Sequence, residues 1–370
     1  MHSIQLNVNC EGPLALNDNA FELCRDFLPP DGVRFFTQVS RYGDYLAGIA
    51  KKPGDKAGDT LKLILPFLKG AGLTNEKIAE YSRQHISLAP KAEEAYRFLH
   101  TLNFPIFAIS ASYRQFAEAV AARLGFAPDR LYCTGADLDS YDLSETEAGE
   151  LHRLLGDIVA APAIELPPEA KALEDLAPEV QEALGLVDTI FWDTIPRMNI
   201  GRIYREVNTM GGPEKVQALE NSLAKTGLTM ANLMYVGGNF TDVPALEKVR
   251  AGGGVALSFS GNRSVVEAAE IIVVADTAWP VALLAAVFQT WGKEGVVELA
   301  QSSRPGASKY LAIPEAMIEP IMMGLQTGKT FNLYHPSTSK REDVIADSTA
   351  MRRRLRGDAI AALGLSLIHI

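Results

Sequence analysis

The feature that most constrains the fold is a repeated alternation of short apolar runs with amphipathic stretches. Residues 4–8, 105–109, 233–236, 254–259 and 271–274 are β-rich and end in turn-forming residues, which predicts buried strands. Between them, 91–102, 113–124, 213–225, 243–251 and 264–269 space their apolar residues as helices do. Strands alternating with helices predict a parallel sheet covered on both faces, an α/β architecture.

Two connections, 9–104 and 134–210, are too long for simple crossovers and predict inserted subdomains. The first has helical stretches around 19–27, 59–68 and 75–83. The second is acidic, contains Pro162, Pro167, Pro168 and Pro178, and suggests a small helical lid. Beyond 275 the pattern is mainly helical, over 281–291, 314–325 and 340–363. The chain therefore divides into a core (1–16, 88–134 and 205–276), a helical cap insertion (17–87), a second insertion or lid (135–204) and a helical C-terminal extension (277–364). Residues 365–370, Leu-Ser-Leu-Ile-His-Ile, read as a non-native tail, with the native C-terminus expected to be missing.

With 35 Lys and Arg against 45 Asp and Glu, the net charge is −10. That argues against a nucleic-acid surface built on general basicity. Cys10, Cys24 and Cys133 form no CxxC pair, so neither a disulfide framework nor a zinc knuckle is expected. The start has no basic and apolar leader pattern, and the longest apolar stretch, 279–288, is too short to cross a bilayer. A cytoplasmic protein with no membrane contact is expected.

In an open α/β sheet, ligands sit beyond the carboxyl ends of the strands. The residues there are Asn9-Cys10-Glu11-Gly12-Pro13, Ser110-Ala111-Ser112-Tyr113 and Gly237-Gly238-Asn239-Phe240-Thr241-Asp242, joined by Lys215 in the first turn of a helix. Glu11, Ser110, Lys215 and Asp242 are expected to share one crevice. Plainer readings stand beside this one. Glu11 also suits a turn, Ser110 or Ser112 a helix N-cap, and Asp242 an N-cap before Val243-Pro244. Asp18 and Asn19 suit the cap of a helix starting near Ala20. Phe35, Phe36, Tyr42 and Tyr45 suit core or lid packing, or the lining of a substrate pocket. Arg352, Arg353, Arg354 and Arg356 read as a solvated helix face or a dipole complement, with an anionic docking patch as the sharper alternative. Residues 324–330 resemble a Walker A loop one residue short. They follow an apolar helix instead of a strand, so a helix end at Gly328 is expected.

The order of these segments resembles the haloacid-dehalogenase-like (HAD-like) phosphohydrolases: a strand ending in Asp-x-Asp, a strand ending in Ser or Thr, a helix-borne Lys, and a strand ending in an acidic pair. Residues 235–242 resemble the Gly-Asp-Ser-x-Thr-Asp loop of that superfamily, and 254–262 the strand and turn that commonly follow it. Cys10-Glu11-Gly12-Pro13, Asn17-Asp18-Asn19-Ala20 and Ser40-Arg41-Tyr42-x-Asp44-Tyr45-Leu46 resemble the HAD-like branch called energy-converting hydrogenase A subunit R, a label that establishes no reaction. The resemblance implies a Rossmannoid core with helical caps, a small phosphorylated substrate and Mg²⁺. It places Asn9 at the nucleophile position and, with Asp242, at the metal. Glu11 takes the general-acid position, and Ser110 and Lys215 hold phosphate.

Two positions depart from that pattern. Asn9 replaces the nucleophilic Asp, and Gly238 replaces the first acid of the last loop. An amide oxygen is a poor nucleophile, and two missing carboxylates weaken a Mg²⁺ site. Two readings follow: a Mg²⁺-dependent phosphohydrolase with impaired catalysis, or a non-catalytic protein that binds a phosphorylated ligand or serves as a scaffold. A protein partner is expected, if anywhere, on the helical C-terminal region.

Overall fold

The alternation Ile4-Gln5-Leu6-Asn7-Val8-Asn9 builds the central strand, β1 (Gln5–Asn9). The structure, a computed structural model, describes residues 1–52, 56, 58–167, 169–302 and 313–361. Successive strand side chains point to opposite faces. Ile4, Leu6 and Val8 enter an apolar cluster with the helix Ala92–Thr101 and the helix that starts at Trp279. Gln5, Asn7 and Asn9 are just as buried, but face the helix Gly212–Thr226. Gln5 Nε2 donates to Asn7 Oδ1 (2.9 Å) and to Ser222 Oγ (2.8 Å). Asn7 Nδ2 donates to Ser222 Oγ (2.8 Å), and Thr226 Oγ1 to Gln5 Oε1 (2.7 Å). An unmet buried amide costs about 1–3 kcal/mol, so this polar ladder sets the register of helix against strand. Lys215 lies on the same helix face as Ser222 and Thr226 and is thereby delivered to Asn9.

The sheet continues with β2 (Ile106–Tyr113), β3 (Leu131–Thr134), β4 (Leu233–Gly237), β5 (Val255–Phe259), β6 (Ile271–Ala275) and β7 (Phe331–Tyr334). Their order is β3-β2-β1-β4-β5-β6-β7, with every neighbouring pair parallel except β6 and β7. This is the mostly parallel, Rossmannoid α/β arrangement that the alternation of strands and helices predicts. Pairing of Asn9 with Ile109 and of Val8 with Val236 brings the segments after β1, β2 and β4 side by side.

The structure corrects several expectations. β3 and β7 were not anticipated. Both are short, and Leu-Tyr-Cys-Thr and Phe-Asn-Leu-Tyr offer little periodicity. The C-terminal extension is therefore not wholly helical, since β7 adds an antiparallel edge to the sheet. The helix Gly32–Tyr45 was also missed, because Gly32 and Gly43 lower its propensity. Its stripe of Phe35, Phe36, Val39 and Tyr42 packs in the cap, the packing role expected of its aromatics. The expected helix over 340–363 is broken at Gly357 (φ 77°) into Arg341–Arg356 and Asp358–Ala361, and 362–363 lie outside the described residues. After the helix Glu315–Leu325, backbone N–H groups of Lys329 and Thr330 donate to Asp276, so the Walker-like stretch turns into β7. The expected non-native tail, 365–370, lies outside the described residues.

Helices from both long connections share one apolar cluster, in which Phe35, Phe67 and Leu68 meet Leu151, Ile158 and Phe191. Gln38 joins the two across a buried seam: Nε2 donates to Pro162 O (2.8 Å), and Oε1 accepts from Ile164 N (2.9 Å). The two insertions thus pack as a single cap. Among the described residues, no helix is long and apolar enough to cross a membrane.

Candidate functional site

Beyond β1 the chain turns at Gly12, whose φ of 112° excludes most side chains. That turn leaves the Glu11 carboxylate facing the end of β2. Ser110 and Ser112, two residues apart on β2 and so on one face of it, both reach that carboxylate. Ser110 Oγ donates to Glu11 Oε1 (2.7 Å), as do Ser112 N (3.2 Å) and Ser112 Oγ. Glu11 Oε2 is buried without a partner. Neither serine caps the following helix, Arg114–Arg123, whose N-cap residue is Tyr113. Asp18 does cap its helix, accepting from Phe21 N (3.1 Å). Burial raises the Asp18 carboxyl above the usual range.

Lys215 is fully buried, and its Nζ donates to Asn9 Oδ1 (3.0 Å) and Asp242 Oδ1 (2.5 Å). Asn9 Nδ2 donates to Glu11 O (2.9 Å), so both ends of that amide are engaged. Asp242 Oδ1 also accepts from Tyr235 OH (2.7 Å), and Oδ2 from Gly238 N (2.7 Å) and Asn239 N (2.9 Å). Burial and the Asp242 charge hold the Tyr235 phenol well above its ordinary pKa, which keeps it a donor. Asp242 therefore anchors its own loop and an internal cation; it stands at the N-cap position of the helix Val243–Ala251, as one reading expected, but its side chain makes no capping hydrogen bond there.

Glu11, Ser110, Lys215 and Asp242 are thus brought together, with Asn9 at their centre. The donor set does not fit Mg²⁺, which wants several free hard oxygens in near-octahedral geometry. Asn9 Oδ1 and both Asp242 oxygens already accept hydrogen bonds from within the protein, and Gly238 offers no side chain. A Cβ at 238 would stand 3.2 Å from Glu11 O, tighter than an ordinary contact, so the loop is closely packed there. Among the described residues, no three His, Cys, Asp or Glu side chains gather as a metal site.

Sequence reasoning missed Arg352 and Arg356 at this site. Both are buried, contrary to the solvated-face reading. Arg352 Nη1 donates to Gly238 O (3.0 Å) and Nη2 to Asn239 Oδ1 (2.8 Å). Arg356 Nε donates to Leu16 O (2.9 Å) and Nη2 to Asn17 O (2.7 Å). Of the same cluster, Arg354 pairs with Asp276 at the surface (2.8 Å), and Arg353 is exposed. The one available signal was the spacing of 352 and 356, one helical turn apart.

Cap and core meet at a crevice that is partly open to solvent. Glu11, Ser112, Asn239, Thr241 and Arg352 line it from the core side, and Phe36, Ser40, Asp44 and Thr60 from the cap.

No family model matches the sequence, and no curated protein does. Among solved structures, gene product AF1437 from Archaeoglobus fulgidus is similar over 98% of this chain and 100% of its own, with 27% identity and a TM-score of 0.77. The shared fold therefore takes in the cap and the C-terminal extension as well as the core. Phosphoserine phosphatase structures are also similar at low identity. The phospho-aspartyl intermediate analogue and the substrate complex each show 13% identity over 74% of this chain and 93% of theirs, with a TM-score of 0.44.

Proposed function

We propose that this chain is a HAD-like protein, derived from a phosphohydrolase design, that binds a small phosphorylated molecule in the crevice between core and cap and turns it over slowly or not at all. The observation that carries this reading is the Lys215 bridge between Asn9 and Asp242. In-line attack on phosphorus needs an ionised carboxylate at the nucleophile position. Here a neutral amide stands there, with both its polar atoms engaged. The developing phosphoryl charge would also need a cation, and the Lys215 charge is already cancelled by Asp242.

Glu11 keeps a free Oε2 and so retains the means to exchange a proton with a bound molecule. Any residual turnover would pass through it. The stretches that resemble the hydrogenase-associated branch supply Glu11, Asp18, Ser40 and Asp44 to the crevice lining, which supports a ligand-binding role for them.

The test is hydrolysis of p-nitrophenyl phosphate with and without Mg²⁺, by the parent chain and by Asn9→Asp/Gly238→Asp. The parent is expected to show no Mg²⁺-dependent release above buffer, and the double variant to gain it. Mg²⁺-dependent turnover by the parent would refute the reading.

A further inference from the structure

Arg352 and Arg356 come from the end of the chain, yet reach the loops that follow β1 and β4. All their hydrogen-bond acceptors are neutral: the carbonyls of Gly238, Leu16 and Asn17 and the amide of Asn239. Among the described residues, neither guanidinium has a carboxylate within ion-pair distance, whereas Lys215 is fully neutralised by Asp242. Burial, and for Arg352 the charge of Arg356, push both guanidiniums down from their ordinary pKa, against the pull of Asp18 on both, of Asp242 on Arg352 and of Glu11 and Glu22 on Arg356. Buried charges with no carboxylate in direct contact are costly, and an anion that touches them recovers part of that cost.

A second observation points to the same place. Three side-chain atoms are buried without partners on residues that line the crevice: Arg352 Nε, Thr241 Oγ1 and Glu11 Oε2. The three residues are each only 4% exposed. Two of these atoms can donate to an anion and the third accepts. Asn239 ties the set together, since its Oδ1 accepts from Arg352 and its Nδ2 donates to Glu11 O (3.4 Å).

We propose that the C-terminal helix completes the crevice as a metal-independent anion site, in which Arg352 supplies the positive charge that the family resemblance assigns to Mg²⁺. The phosphate of the ligand accepts from Arg352 Nε and Thr241 Oγ1. An ammonium or hydroxyl group on the same molecule donates to Glu11 Oε2. The ligand class is thus a small phosphate monoester that carries an amine or hydroxyl. This rests on the ligand-binding reading above and adds the source of its charge and the second group it recognises.

The experiment is calorimetric titration of the full chain, in EDTA, with inorganic phosphate and with ethanolamine phosphate, while phosphate release is followed in the same samples. Both probes are expected to bind without metal, ethanolamine phosphate more tightly. Arg352→Gln is expected to weaken both at least about tenfold, the loss of one charge-assisted contact. Its melting temperature without ligand is expected to hold or rise, because a buried unpaired charge is gone. Thr241→Val, a milder change, is expected to weaken both severalfold. Glu11→Gln is expected to abolish the preference for ethanolamine phosphate. Binding that requires Mg²⁺ would overturn the inference, as would undiminished binding by Arg352→Gln or by folded Thr241→Val, or no binding of either probe. Rapid release of phosphate by the parent would instead overturn the reading of slow or absent turnover, independently of which residues bind.

Discussion

Replacing Lys215 by Met tests whether the bridge at the centre of the site is structural. Methionine fills much of the same volume but removes the ammonium. Asp242 would keep Tyr235 OH, Gly238 N and Asn239 N as donors and lose its only paired cation. A charge-assisted hydrogen bond contributes about 1.5–3 kcal/mol, and the orphaned Asn9 Oδ1 costs about 1–3 more. The expected loss is about 4 kcal/mol, inside the range of about 3–5 for breaking a buried pair from one side. At about 2 °C per kcal/mol for a chain of this size, the melting temperature falls by about 8 °C. Urea unfolding and calorimetry of the parent, Lys215→Met and Lys215→Met/Asp242→Asn measure it. The double variant leaves neither partner of this pair charged and is expected to recover about half the loss. A single-variant loss below about 1 kcal/mol, or a double variant less stable than the single, would refute the account.

Gln38→Ala leaves Ile164 N and Pro162 O unpaired in the seam between the two insertions, so unfolding free energy is expected to drop by about 2–3 kcal/mol, read from the urea midpoint at unchanged slope. Burial raises the carboxyls of Asp18 and Glu22, so the folded chain holds protons that the unfolded chain has released above about pH 4. Their stabilising contribution is present at low pH and is lost as pH rises through the folded values. Asp18→Asn, which keeps the helix cap, is expected to melt higher than the parent at pH 7, with the gap closing towards pH 4; a gap independent of pH would contradict the sign.

Legibility followed the range of the interactions. The helices Asn19–Phe27 and Val243–Ala251 matched their expected bounds because local signals delimit them: the Asp18 cap in the first, Pro244 and the trailing glycines in the second. Glu11, Ser110, Lys215 and Asp242 were found because each follows a strand or opens a helix, where a parallel sheet gathers its loops. Their chemical states were not legible. Whether Asp242 faces a metal or a lysine depends on the reach of Lys215 across the polar ladder formed by Gln5, Asn7 and Ser222, and the run at 4–8 had been read simply as apolar. The serines showed the same limit: either suited a cap, and only the pairing of β2 beside β1 brought both to Glu11.

Local chemistry alone determined the alternation of strands and helices, the two insertions and the neutral residues at Asn9 and Gly238, because each depends on residues near one another in the chain. Packing over long distances decided the rest. It fused two separate insertions into one cap around Gln38, added β7 to the edge of the sheet, and turned Arg352 and Arg356 inward. Sequence pattern marks a helix face as charged; only the neighbour it meets decides whether that charge faces water or a buried crevice.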